Sequence, residues 1–223
     1  FSSVWFTLDG HFRSHTNERE KHMNDKNLVA DHGRFSTLFP RYTNTAIALH
    51  WMIAISIIAL LILGLTMEDF PKEYQRLAYQ SHKSLGLTVL ILSIVRIVWR
   101  LTHKVPPYPE SMKLWEKVAA QIVHVGLYVL MLALPLTGWA LVSSSPLGYP
   151  TIWFGLFEWP ALPFFANVED KKAISDTFGD VHGALAWICI ALIVMHVGAA
   201  LKHQFINHDG IMARMLPWLR KEN

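Results

Sequence analysis

Apolar residues fall along this chain in four long runs separated by polar and charged segments. The runs are Leu49–Met67 (LHWMIAISIIALLILGLTM), Ser84–Trp99 with its flanks (SLGLTVLILSIVRIVW), Val118–Val142 (VAAQIVHVGLYVLMLALPLTGWALV) and Val181–Leu201. Each comes near the ~20 residues that a helix needs to cross a hydrocarbon core. The second is the shortest and carries Arg96. The pattern predicts an all-α integral membrane protein, one four-helix bundle over residues 41–223, with no chain left for a second domain. Residues 1–40 are polar, His-rich and patternless, and read as a flexible amino-terminal tail without the apolar core of a secretory signal. The chain opens on Phe1 while Met23 offers a natural start, so residues 1–22 read as an upstream or introduced extension.

Composition agrees with the pattern. Hydrophobic residues make up 52% and charged residues 17%, against about 25% charged in soluble domains. Basic residues cluster before the first run (Lys26, Arg34, Arg41), between the second and third (Arg100, Lys104, Lys113, Lys117) and after the fourth (Lys202, Arg214, Arg220, Lys221). The other two loops are poorer, with Lys72, Arg76 and Lys83 in one and Lys171 and Lys172 in the other. The positive-inside rule then puts both termini in the cytoplasm. The net charge of +3 is explained by these helix ends, and no nucleic-acid partner is needed. Cys189 is the one cysteine, so a disulfide framework, a CxxC metal site and a CxxCH haem attachment are all excluded.

The loops predict little regular structure. Loop one spans Glu68–Ser81. In loop two Pro106, Pro107 and Pro109 stop any helix, and Ser111 is a candidate N-cap for the third. Loop three, Ser143–Asp180, is long, and its aromatic and proline-rich part (GYPTIWFGLFEWPALPFF) fits a segment lying at the membrane interface; a lid over a redox pocket is the other reading.

The chemistry lies in the histidines. His182 and His196 are fourteen residues apart, which on a helix is about 40° short of four turns and a rise of about 21 Å. They share one face at opposite depths, so they cannot form one metal site but can be halves of two. Partners follow by depth: His82 opens the second helix level with His182, and His50 lies in the first turn of the first helix level with His196. Facing imidazoles in an apolar bundle suit axial ligation of haem iron, and without CxxCH the haem is the non-covalent b type. Arg96, fourteen after His82, lies at the inner depth on the ligand face, where haem propionates would answer its charge. Gly64, Gly86, Gly183 and Gly198 thin the helices beside the ligands, although small residues also serve plain helix packing. His124 most simply bonds a neighbouring helix; contact with a propionate or a quinone, or rivalry with His50, stays open. His103, His203 and His208 read as solvated at the inner interface. Trp51, Trp139 and Trp187 are candidates for stacking on haem or quinone, or for anchoring at the interface.

These residues resemble the bacterial cytochrome b561 family: "ALHW" opens the first helix, "HKSLG" and "RIVWR" bracket the second, "HVGLYVLMLALPLTGW" fills the third and "HGALAWICIALIVMH" the fourth. The resemblance runs from about Arg41 to Pro217. It implies a four-helix protein of the inner membrane with two b haems held between helices. The family's axial positions fall on His50, His82, His182 and His196. One member of the family oxidises superoxide and reduces ubiquinone, and the chain is similar to it in length beyond the tail and in the aromatic third loop. The resemblance therefore implies electron transfer from superoxide, or another periplasmic donor, to ubiquinone. Lys83, Arg76 and Lys72 are then candidates for steering the anion to the outer haem. The alternative is a non-enzymatic di-haem subunit joining a periplasmic or hydrogenase partner to the quinone pool. A proton or metal-ion transporter is a poorer reading, since the spans lack the paired carboxylates of a relay.

Overall fold

The computed structural model describes residues 41–216 and 219. The expectations for the tail over residues 1–40, and for an added segment at 1–22, lie outside the described residues. Four helices are long and apolar enough to cross a membrane: α1 (Asn44–Thr66), α2 (Lys72–Thr102), α3 (Leu114–Ser144) and α4 (Lys171–Lys202). A two-stranded antiparallel hairpin of β1 (Thr151–Trp153) and β2 (Phe157–Trp159) lies between α3 and α4. A single π turn, His203–Asn207, prolongs α4.

The apolar runs underestimate the helices. α2 begins twelve residues before the run at Ser84, and α4 ten before Val181. Hydropathy marks what lipid will accept, whereas helix formation continues through the polar Lys72–Lys83 stretch. At 1.5 Å per residue, the 31-residue α2 and α3 and the 32-residue α4 reach about 46–48 Å, against a hydrocarbon core of about 30 Å. Loop one therefore shrinks to the few residues from Met67 to Pro71. His82 is not at the start of its helix but ten residues, or about 15 Å, inside it.

Local chemistry sets the ends. The Thr43 hydroxyl accepts from Ala46 N at 3.2 Å, and the Asp170 carboxylate from Ala173 N at 3.0 Å, each filling an orphan donor of a first turn. Ser111 does not cap α3. The helix starts three residues later, where the Glu116 carboxylate reaches back to Lys113 N at 3.0 Å and also pairs with Lys202 of α4. Pro135 sits within α3; it removes one backbone bond and loosens the carbonyls around it, a cost that membrane helices offset with side-chain hydroxyls. Here Thr137 Oγ1 donates to Ala133 O at 2.8 Å.

Helix α4 packs mainly on α3, α3 on α2 and α2 on α1, so α1 and α4 face each other across the open side of the bundle. Small residues permit the tight contacts: a Cβ added at Gly126 of α3 would stand 2.8 Å from Leu192 Cδ1 of α4. The outward faces carry exposed Ile55, Ile62, Val129 and Val194, as lipid-facing helices should.

The hairpin breaks the all-helical pattern, although it leaves the four-helix architecture intact. It docks on α2 through one stripe of polar side chains. Ser84, 1% exposed, donates to Ile152 O (3.1 Å) and accepts from Phe154 N (3.0 Å). Gln80 and Lys83 both donate to Pro150 O, and Trp153 Nε1 donates to Thr88 Oγ1. Phe154 has φ +47°, a left-handed conformation that a bulky residue rarely adopts; the turn persists because Ser84 holds it on both sides. Replacing Ser84 with alanine is expected to cost about 1–3 kcal/mol, the penalty for a buried unsatisfied amide. Hydrogen–deuterium exchange should then rise over residues 151–159 and stay unchanged in α4.

Candidate cofactor site

Two imidazole pairs bridge helices at the two ends of the bundle. His82 of α2 faces His182 of α4 with ring centroids 6.2 Å apart and planes at 71°. His50 of α1 faces His196 of α4 at 6.2 Å and 73°. The depth match has a simple origin. His82 and His182 lie ten and eleven residues into their helices, while His50 is six after the start of α1 and His196 six before the end of α4. α1 and α4 run in opposite senses, so these counts place each pair on a level.

The His82/His182 pair lines a cavity of about 200 Å³ walled by all four helices, with Gly86, Gly183, Trp187 and Cys189 on its surface. His182 Nδ1 lies 3.1 Å from Leu134 O and 3.1 Å from Thr137 Oγ1. Since a carbonyl can only accept, Nδ1 carries the ring proton and Nε2 keeps its lone pair for the cavity. Glycines give each ring its place: a Cβ at Gly138 would stand 3.2 Å from His182 Cε1, and one at Gly64 3.3 Å from His82 Cε1. Gly64 thus makes room for a histidine ring. Gly86 and Gly183 border open space. Among the described residues His82 Nδ1 is buried without a well-aligned hydrogen-bond partner.

At the other end His124 of α3 stands edge-on to His196, with centroids 5.2 Å apart, and Trp51 stands edge-on to His50 at 5.3 Å. Arg96 donates to Ala46 O at 3.0 Å and lies 5.8 Å from the centre of the Tyr128 ring. Trp51 and Trp139 are tied by their indole N–H groups to Met215 O and Pro160 O, whereas Trp187 is 64% exposed beside the cavity. Lys72 and Arg76 are exposed in the first turns of α2; Lys83 is held by Pro150 O at 2.9 Å.

The sequence reading of His203 as solvated is corrected. It is 6% exposed, with Nδ1 2.5 Å from Asp209 Oδ2 and 3.1 Å from Asn207 Nδ2. The π turn swings its ring back toward the chain instead of outward. His103 is exposed but stacks on Trp99 at 3.8 Å, and His208 is exposed. Thr137 escaped sequence reasoning. Its only signal was a hydroxyl two residues after a helix-interior proline, which says nothing of the imidazole of α4 beside it.

Among the described residues no group of three or more His, Cys, Asp or Glu is placed to hold a metal ion. Each pair offers two nitrogen ligands, and a six-coordinate metal between them would need its other four from a planar group.

The sequence profile of the family described as prokaryotic cytochrome b561 matches residues 41–218. The chain belongs to this family. Cytochrome b561 homolog 2 of Escherichia coli (strain K12) is 34% identical over 185 residues, which cover 82% of this chain and 94% of that protein. Cytochrome b561 homolog 1 of the same strain is 31% identical over 180 residues, 79% of this chain and 97% of the relative. A protein of Yersinia pestis named probable superoxide oxidase CybB is 29% identical over 178 residues, 79% and 96% respectively. The protein is therefore a b561-type membrane electron-transfer cytochrome, and the family implies haem b.

The residues present fit that group. Two metal–nitrogen bonds of about 2 Å, with the half-widths of two imidazole rings, span about 6 Å between ring centres. His50 and His196 match this span, as do His82 and His182. His124 and His196, at 5.2 Å, are about an ångström too close.

Proposed function

We propose that this b561-type cytochrome binds two b haems and passes electrons from superoxide, at the His82/His182 end, to ubiquinone in the inner membrane. The observation that carries the reading is the pair of 6.2 Å imidazole bridges at opposite ends of the bundle. His82 and His182 would be the axial ligands of one haem, His50 and His196 those of the other, with Arg96 set toward the propionates of the second. A bound haem b supplies a one-electron iron couple tuned by its axial ligands and their surroundings. Superoxide gives up one electron to become dioxygen; ubiquinone takes two electrons and two protons to become ubiquinol.

The chain's own part is to place and tune. Leu134 O and Thr137 fix the ring and tautomer of His182, so its Nε2 lone pair is preorganised. Apolar residues from all four helices line the outer cavity, a surface unfavourable to water. Lys72 and Arg76 put positive charges at the outer start of α2, and Lys83 adds a third beside His82, where they attract an anion. The basic inner loops favour cytoplasmic termini and the inner membrane. His124 is left beside the inner pair as a packing partner of His196.

Thr137→Val keeps the shape of the residue but removes one acceptor from His182 Nδ1. Haem affinity at the outer site is expected to fall up to about tenfold, the low end for such supporting bonds. The outer midpoint potential should rise, because the imidazole becomes a weaker electron donor, while the inner potential stays put. A redox titration followed at the b-haem bands reads both.

The function is tested by stopped-flow absorbance of the purified haem-loaded protein. Superoxide should reduce the b haems, and added ubiquinone should reoxidise them. The relatives at 34% and 31% identity carry only homologue names, which keeps the donor a separate question. Haems that ignore superoxide but are reduced by a periplasmic or hydrogenase partner would replace this reading with that of an electron-transfer subunit.

A further inference from the structure

At the end of the bundle that carries His50, α2 leaves a basic cleft of which the redox reading uses Arg96 alone. It is lined by Tyr42, Thr43 and Ala46 of the α1 entry, by Arg96, Trp99, Arg100, His103 and Lys104 at the end of α2, and by Tyr128 of α3. Four of these can be cationic, and among the described residues no carboxylate lines the cleft. Arg96 and Arg100 are one helical turn apart, a spacing at which like charges repel, and the repulsion grows where water is scarce. Both guanidinium groups lie over the same ring: Arg96 is 5.8 Å and Arg100 5.7 Å from the centre of Tyr128. A ring face eases two neighbouring cations but does not neutralise them. The lower wall is built as well. Trp99 Nε1 donates to Thr43 Oγ1 at 2.9 Å, and His103 stacks on Trp99 with planes 10° apart.

The cleft has two storeys. Arg96 is half-buried and bonded upward to Ala46 O. Arg100, His103 and Lys104 are exposed at the mouth. The cavity is about 30 Å³, room for the oxygens of one oxyanion but not for a quinone ring or a porphyrin. A basic pocket between membrane helices on the side favoured by the positive-inside rule meets the leaflet richest in anionic headgroups.

We propose that this cleft is a binding site for the phosphate of an anionic phospholipid, held by Arg100, Lys104 and His103 below Arg96. The lipid would relieve the uncompensated charge at the end of α2 and fasten the α1–α2 corner. The site is independent of the identity of the electron donor.

The test uses the haem-loaded full chain in nanodiscs of equal phosphatidylglycerol and phosphatidylcholine, released for native mass spectrometry. Phosphatidylglycerol should stay bound at least tenfold more than phosphatidylcholine. The preference should vanish in Arg100→Gln/Lys104→Gln and persist in Lys113→Gln/Lys117→Gln, which removes the same charge on the same face outside the cleft. An unchanged b-haem spectrum certifies that each variant is folded. Equal retention of the two lipids would overturn the proposal, as would a preference that survives the first variant or is lost in the second. A fourth arm places the protein in phosphatidylcholine discs with inorganic phosphate and follows it by phosphorus NMR. Phosphate bound there as tightly as phosphatidylglycerol would also overturn the lipid assignment, in favour of a site for free oxyanions.

Discussion

Replacing His182 with alanine is expected to halve the haem content of the purified protein and to leave the remaining haem spectroscopically intact. His182 and His82 face each other across 6.2 Å with their rings seated against Gly138 and Gly64, and among the described residues neither has a second imidazole close by to take over. The same half should disappear in His82→Ala. In His50→Ala and His196→Ala the other half should go. The two groups of variants are distinguishable because His182 is hydrogen-bonded through Leu134 O and Thr137, so the two centres should titrate at different potentials. His182→Gly opens a ring-sized space beside Gly138, and free imidazole in the buffer should restore the missing haem there. Haem analysis and a redox titration of each variant check the whole set. A His50→Ala protein that keeps both centres would hand His124 the role of partner to His196, which stands 5.2 Å from it.

The second large effect is electrostatic. Reversing two exposed charges in the first turns of α2, in Lys72→Glu/Arg76→Glu, should slow haem reduction by superoxide about tenfold or more at low ionic strength, the lower range for steered association. The difference should shrink as salt rises, because the Debye length falls from about 30 Å at 0.01 M to about 10 Å at 0.1 M. Lys83 is a poorer choice for this test, since its ammonium also holds Pro150 O and its loss would disturb the hairpin. Stopped-flow rates across a salt series decide the matter. Equal rates for the two proteins at low salt would remove steering by these residues, while leaving the haem sites as argued.

The bundle and its paired imidazoles are legible from the sequence because both follow from rules of period and depth. Twenty apolar residues announce a span, and fourteen residues return a side chain to the same face of a helix, so His182 and His196 identify their partners by level. Features made by contacts distant in sequence are not legible. Phe154 adopts φ +47° because Ser84, seventy residues earlier, holds the turn. The aromatic run around it therefore reads as interfacial surface and not as strands. Helix extents are misjudged for another reason: polar residues such as Lys72–Lys83 sit in a helix as readily as apolar ones do. His203 looks like a terminal, solvated histidine until the π turn and Asp209 enclose it. Arg96 lies six residues before the end of α2, level with His50 and His196, yet its partners, Ala46 O and the Tyr128 ring, come from two other helices and leave no mark in its neighbourhood.

The most direct test of the account is the haem-to-protein ratio of the purified protein, taken together with the electron paramagnetic resonance spectrum of its oxidised form. Two imidazole pairs with planes 71° and 73° apart predict two b haems per chain, both low-spin and six-coordinate, with strongly anisotropic signals and no added ligand required. A single haem per chain, or a high-spin signal from an iron lacking one imidazole, would contradict it.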